Sequence, residues 1–87
     1  MKLIFADEAW EDYLYWQKQD RRMVERINKL IRVIRETQRD PFTGVGKPEA
    51  LKHALSGFWS RRITDEHRMV YQVVDGALLI AQLRNHY

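Results

Sequence analysis

Ten side chains in the second half of this 87-residue sequence can carry acid–base chemistry without a metal. They are Glu49, Lys52, His53, Arg61, Arg62, His67, Arg68, Arg84, His86 and Tyr87. RNA cleavage of that kind divides into three jobs. A base takes the 2′-hydroxyl proton, a cation neutralises charge developing on the phosphate, and an acid protonates the leaving 5′ oxygen. Carboxylate, guanidinium and imidazole suit those jobs, and arginine holds phosphate through two parallel bonds while staying charged. Residue type and spacing alone do not choose among the ten.

Other chemistries fit worse. The segment GVGKP at residues 44–48 hints at a phosphate loop, but a Walker motif needs glycine where Pro41 stands and Ser or Thr where Pro48 stands. His53, His67 and His86 fall in three separate elements with no helical ligand spacing, so no metal site is expected. The sequence has no cysteine, which excludes a disulfide scaffold, a thiolate nucleophile and a sulfur-bound zinc. Ser56 and Ser60 lie in no nucleophile elbow. Each candidate also has a plainer reading. Glu49 is a first-turn helix acid favoured by the dipole. Arg61, Arg62 and Arg68 are exposed sheet charges that guard against edge aggregation. His53 and His67 are structural or turn residues. Trp10, Trp16, Trp59 and Tyr71 are core or dimer contacts.

The elements that must position these groups follow from periodicity. Residues 2–6 form a short apolar first strand. Asp7 caps a helix whose stripe is Trp10, Tyr13, Leu14 and Gln17, broadened by Tyr15 and Trp16, and Asp20 caps a second helix. In that second helix Met23, Val24, Ile27, Leu30, Ile31 and Ile34 fall at helical spacing, with basic residues between them. So short a break predicts an antiparallel hairpin. Residues 38–46 have loop chemistry, and Pro48 starts a short helical turn through His53. Strands are expected over 58–63, 68–74 and 77–83. Thr64 to His67 makes a turn, and Asp75-Gly76 makes a two-residue hairpin with positive φ at both positions. That hairpin, kept strict, sets Arg68 opposite Leu83 and gives His86 the opposite parity. The order is β-α-α-β-β-β, an α+β layer architecture with a helical hairpin on one face of a small antiparallel sheet. The other face is left for a partner.

Length predicts one domain, residues 1–87. The net charge of +3 is unevenly spread: residues 1–20 carry −3, residues 21–39 carry +5 and residues 41–62 carry +3. A basic middle suits a polyanion or an acidic protein. The longest wholly apolar run, residues 77–81, is too short to cross a bilayer, and the first residues turn acidic before a signal-peptide core forms. A soluble, cytoplasmic protein with no membrane partner is expected.

Residues 47–64 read KPEALKHALSGFWSRRIT and residues 66–71 read EHRMVY; the sequence opens MKLI, carries DYLYWQ at 12–17 and ends HY. Across nearly its whole length it resembles the YoeB-type toxins of the RelE/ParE toxin–antitoxin superfamily. The resemblance implies a RelE-like fold and the toxin of a type II toxin–antitoxin system. It implies a ribosome-dependent endoribonuclease that cuts messenger RNA in the A site of the 70S ribosome. The 2′-hydroxyl attacks the adjacent phosphate, leaving a 2′,3′-cyclic phosphate and a 5′-hydroxyl, with no metal or other cofactor. By position, Glu49 matches the general base, Arg68 the transition-state arginine and His86 the general acid. Tyr87 matches the aromatic that stacks on and positions the nucleotide, and Lys52 and Arg62 match basic residues that orient the RNA. The implied partners are a YefM-like antitoxin whose disordered tail wraps the toxin, and a second copy in a homodimer. Asn85 stands where the family pattern has a bulkier or aromatic residue.

Two other functions share this fold or this charge. A ParE-like toxin poisons gyrase without nuclease chemistry, but such proteins lack the matching Glu, Arg and His set. A non-catalytic ribosome- or RNA-binding module would use the same basic face.

Overall fold

The structure, a computed structural model, describes residues 1–36 and 44–85. The chain runs β1 (Lys2–Phe5), α1 (Asp7–Gln19), α2 (Arg21–Glu36), β2 (Glu49–Ala50), a single 3₁₀ turn (His53–Leu55), β3 (Trp59–Arg62), β4 (Arg68–Val74) and β5 (Ala77–Gln82). The five strands form one sheet in the order β1-β5-β4-β3-β2. β1 runs parallel to β5, and the other pairs are antiparallel. The expected strand–helix–helix–strand order holds, with β2 added at the edge.

Helix α2 buries Met23, Ile27, Leu30, Ile31 and Ile34, the stripe its periodicity predicts. Asp20 caps it, its Oδ1 accepting from the Arg22 N–H at 3.0 Å. Helix α1 departs from expectation in two respects. Ala6 is the capping position, without a side-chain bond, and Asp7 is the first helical residue. With Glu8, Asp7 supplies first-turn negative charge instead. The buried residues of α1 are Ala9 and Trp16, whereas Trp10 and Leu14 are exposed. Trp10 stacks on Tyr13, and both meet Phe5 edge-on, at the border of the core that Phe5 and Tyr13 pack against.

The core lies between the helices and one face of the sheet. Ile27 and Ile34 pack with Met69, Tyr71, Leu78, Ile80 and Leu83, all of them fully buried. Met69 and Tyr71 therefore look toward the helices. Alternation turns Arg68, Val70 and Gln72 to the other face.

The 64–67 turn and the 75–76 hairpin form as expected. Thr64 Oγ1 accepts from the backbone N–H of Glu66 and of His67, and Asp75 and Gly76 take φ of 51° and 72°. The helical turn expected from Pro48 does not form. Glu49 and Ala50 pair with Ser60 and Trp59, and the Leu51 N–H donates to the Phe58 carbonyl at 2.9 Å. An open strand edge on β3 thus captures this segment, and the turn is displaced to His53–Leu55.

The β4–β5 register also differs from expectation. Val74 to Tyr71 pair with Ala77 to Ile80, but Val70 pairs with Gln82, so Ala81 is an extra residue. This β-bulge shifts the ladder by one. The parity that set Arg68 opposite Leu83 therefore does not hold. Leu83 turns into the core, fully buried.

Candidate active site

The edge strand β2 brings Glu49 beside Ser60 of β3, and Ser60 is paired with Val70 of β4. Two residues along, Arg62 is paired with Arg68. A period of two puts Glu49, Ser60, Arg62 and Arg68 on the same face, away from the helices. There Arg68 Nε donates to Ser60 Oγ at 2.9 Å, and Arg68 Nη2 stands 3.6 Å from Glu49 Oε2. The two ends of the guanidinium are thus held by different strands. The Arg68 side chain is 8% exposed, that of Glu49 64%. Arg68 is accordingly no solvated sheet charge: it is buried. Glu49 is no first-turn helix acid, since its segment is a strand.

The loop before β2 is fixed by two bonds. The Arg62 N–H donates to the Gly46 carbonyl at 2.7 Å, and Arg61 Nη1 donates to the Val45 carbonyl at 2.9 Å. Gly46 has φ of 89°, and a Cβ there would lie 3.0 Å from both Arg61 Cβ and Leu30 Cδ2. Only glycine lets the loop pass this close to β3 and α2.

Arg61 itself belongs to the opposite face. It is fully buried, and its Nε donates to the Tyr71 hydroxyl at 3.1 Å. Burial pushes the Tyr71 phenol above its ordinary value, only partly offset by the bond to Arg61 and its charge. Tyr71 therefore stays neutral, accepting from Arg61.

Lys52 is exposed, and with Glu49 it lines an open depression of about 340 Å³ that also involves His53 and Leu55. Arg62 is half exposed and, among the described residues, pairs loosely with the fully exposed Asp65 at 4.0 Å. Arg84 lies 3.7 Å above the Tyr15 ring. His67 packs its edge against Trp16 and accepts from the Asn85 N–H. His86 and Tyr87 lie outside the described residues. Of the six expected site residues, the structure therefore brings Glu49 and Arg68 into contact, adds Lys52 beside Glu49 and sets Arg62 across from Arg68.

Sequence reasoning missed Ser60 as the partner of Arg68. The signal was present: pairing the 58–63 strand to the 68–74 strand through the 64–67 turn sets Ser60 on the face of Arg62 and Arg68.

A carboxylate open to solvent, in contact with a guanidinium fixed at its other end, can accept a proton while the cation meets an anionic oxygen. The sequence model for the YoeB-like toxin of bacterial type II toxin–antitoxin systems matches residues 5–87. The chain belongs to this family. It is 63% identical to the toxin YoeB of Escherichia coli strain K12 over 87 residues, the full length of both. A YoeB/ParE toxin from Agrobacterium tumefaciens superposes with a TM-score of 0.91 at 52% identity, covering both chains completely. From Staphylococcus aureus, a YoeB dimer (TM-score 0.88, 44% identity) and a YoeB–YefM complex (0.87, 43%) each match this whole chain and 98% of their own.

Membership in the YoeB-like family accounts for the shared sheet and helical hairpin. Among the described residues no group of three or more His, Cys, Asp or Glu side chains could hold a metal, and no helix is long and apolar enough to cross a membrane.

Proposed function

We propose that this YoeB-like toxin is an endoribonuclease that cuts messenger RNA in the ribosomal A site by metal-free acid–base catalysis. The observation that carries this reading is the Glu49–Arg68 contact at 3.6 Å on the sheet face free of helices. In the reaction Glu49 withdraws the 2′-hydroxyl proton. The 2′ oxygen attacks the adjacent phosphorus, and Arg68, already oriented by Ser60, turns from Glu49 to the phosphate oxygens as charge builds there. His86 protonates the departing 5′ oxygen, leaving a 2′,3′-cyclic phosphate and a 5′-hydroxyl. Tyr87 stacks on a base, which needs only an aromatic face. Lys52 and Arg62 flank the Glu49–Arg68 pair and hold the backbone phosphates.

The reading includes residues 1–87 as one catalytic domain in the bacterial cytoplasm. It includes a YefM-like antitoxin, supported by the Staphylococcus complex, and a homodimer, supported by the Staphylococcus dimer. The deciding experiment maps messenger ends in programmed ribosomes by primer extension, comparing the wild type with His86→Gln. Codon-specific cuts with the wild type alone support the reading. Blocked gyrase without cuts moves the chain to the ParE-like function, and ribosome binding without cuts makes it a binding module.

A further inference from the structure

We propose that His67 is a positioning residue, whose ring and following peptide clamp Asn85, the residue to which the proposed acid His86 is joined. The inference rests on the ribonuclease reading above.

The clamp is built from two consecutive residues, the last of the 64–67 turn and the first of β4. His67 Nδ1 accepts from the Asn85 N–H at 2.8 Å, and the Arg68 N–H donates to the Asn85 carbonyl at 3.3 Å. Both polar ends of one residue are thus held by the two residues that lead into β4. Nδ1 can accept only with its lone pair free, so the ring proton is assigned to Nε2. That nitrogen lies 4.0 Å from the exposed Glu66 carboxylate. The ring cannot swing, because it packs edge-on against Trp16 at 4.8 Å between centroids. Trp16 is itself tied to the same segment, its Nε1 donating to the Leu83 carbonyl at 2.9 Å. Asp12 Oδ2 accepts from the Leu83 N–H at 2.9 Å. Three side chains from α1 and the 64–67 turn therefore fix the chain over residues 83–85.

Asn85 adopts φ of 67°, a left-handed conformation that asparagine tolerates better than most residues. It lies three residues past the end of β5, where the clamp holds it. Residues past the last strand of a sheet fray unless tied down. The proposed acid, His86, is one peptide bond from an atom bonded to Arg68. The geometry therefore relates acid and transition-state arginine through a single residue.

The test uses full-length His67→Phe and His67→Asn. Phenylalanine keeps the ring against Trp16 but cannot accept. Asparagine loses the ring but carries Oδ1 on Cγ, where histidine carries Nδ1. The measurements are Asn85 amide hydrogen exchange by NMR, ribosome affinity, and single-turnover cleavage at saturating toxin. For His67→Phe we expect Asn85 protection to be lost and the saturated rate to fall on the order of a hundredfold, the cost of a misplacement of about 1 Å, with ribosome affinity unchanged. His67→Asn restores protection and most of the rate. A merely structural role would not be rescued by asparagine. Retained Asn85 protection in His67→Phe, or a wild-type rate despite lost protection, overturns the proposal. If His67→Phe fails to fold, His67→Asn decides: protected and active supports the clamp, unprotected or inactive overturns it. A wild type that does not cut refutes the ribonuclease reading instead, and the exchange data still judge the clamp.

Discussion

Replacing Ser60 with alanine removes one oxygen from a fully buried position, and that oxygen is the acceptor for Arg68 Nε at 2.9 Å. A hydrogen bond to a charged group contributes roughly 1.5–3 kcal/mol. Arg68 is held at Nε by Ser60 and at Nη2 by Glu49, but the second contact is longer, at 3.6 Å, and must open when phosphate arrives. In the proposed reaction Ser60 therefore remains an anchor for Arg68. Losing it lets the guanidinium rotate about its stem, so the fork no longer meets the phosphate with both nitrogens. If the whole bond energy is realised in the transition state, single-turnover cleavage at saturation falls by roughly 10- to 150-fold. Ribosome affinity should barely change, since Ser60 touches no solvent. The decisive assay is a double-mutant cycle with Arg68→Ala. If Ser60 acts only through Arg68, Ser60→Ala slows the wild type but has no further effect once Arg68 is gone. Equal slowing in both backgrounds, or wild-type cleavage by Ser60→Ala alone, refutes the reasoning.

Glu49→Ala and Arg68→Ala should each lower single-turnover cleavage by about two to four orders of magnitude; thermal melting should report little change for exposed Glu49 and a measurable loss for buried Arg68. Removing residues 86 and 87, or substituting His86→Gln, should abolish cutting in primer extension while antitoxin pull-down persists. Because the folded Tyr71 pKa is raised above 10.0, the unfolded chain loses this proton first as pH rises. That contribution to stability is complete below pH 10 and shrinks above it, and the difference in denaturant midpoint between wild type and Tyr71→Phe should track the loss. Reversing Arg22 and Lys29, both exposed on α2, should weaken ribosome or antitoxin association and flatten its salt dependence, leaving the saturated rate intact; Arg26 is less suited to this test because its Nη1 donates to the Ile63 carbonyl.

What was legible in the sequence follows the physics of each element. Helix α2 declared itself because six apolar residues kept one period over twelve positions, and burial on a single face is what that period produces. The hairpin at 75–76 was equally local: two residues able to take positive φ between two apolar runs. The first helix misled because aromatic residues need not enter a core. Trp10 and Leu14 fit a helical stripe yet remain exposed, and Trp10 instead packs on Phe5 and Tyr13 at the border of the core. The strand at Glu49 was missed for a different reason. Two residues carry no periodicity, and Pro48 is an ordinary helix opener. What makes them a strand is the free edge of β3, a partner distant in sequence.

The site itself shows the same division. Its residue types were legible: a carboxylate and an arginine of suitable chemistry were named before any geometry. Their contact was not, because it depends on two non-local facts. One is the capture of Glu49 by the β3 edge, after a loop in which Gly46 sits where a Cβ would come within 3.0 Å of Arg61 and Leu30. The other is the bulge at Ala81. With strict pairing the ladder would have set Arg68 against Leu83, a residue that the core claims completely. One additional residue in β5 resolves that conflict. It lets Leu83 turn inward, where Asp12 and Trp16 hold its backbone, and it brings the Asn85 carbonyl to the Arg68 N–H. Packing and chemistry make opposite demands on successive residues of this strand, and a bulge is how a ladder of period two meets both.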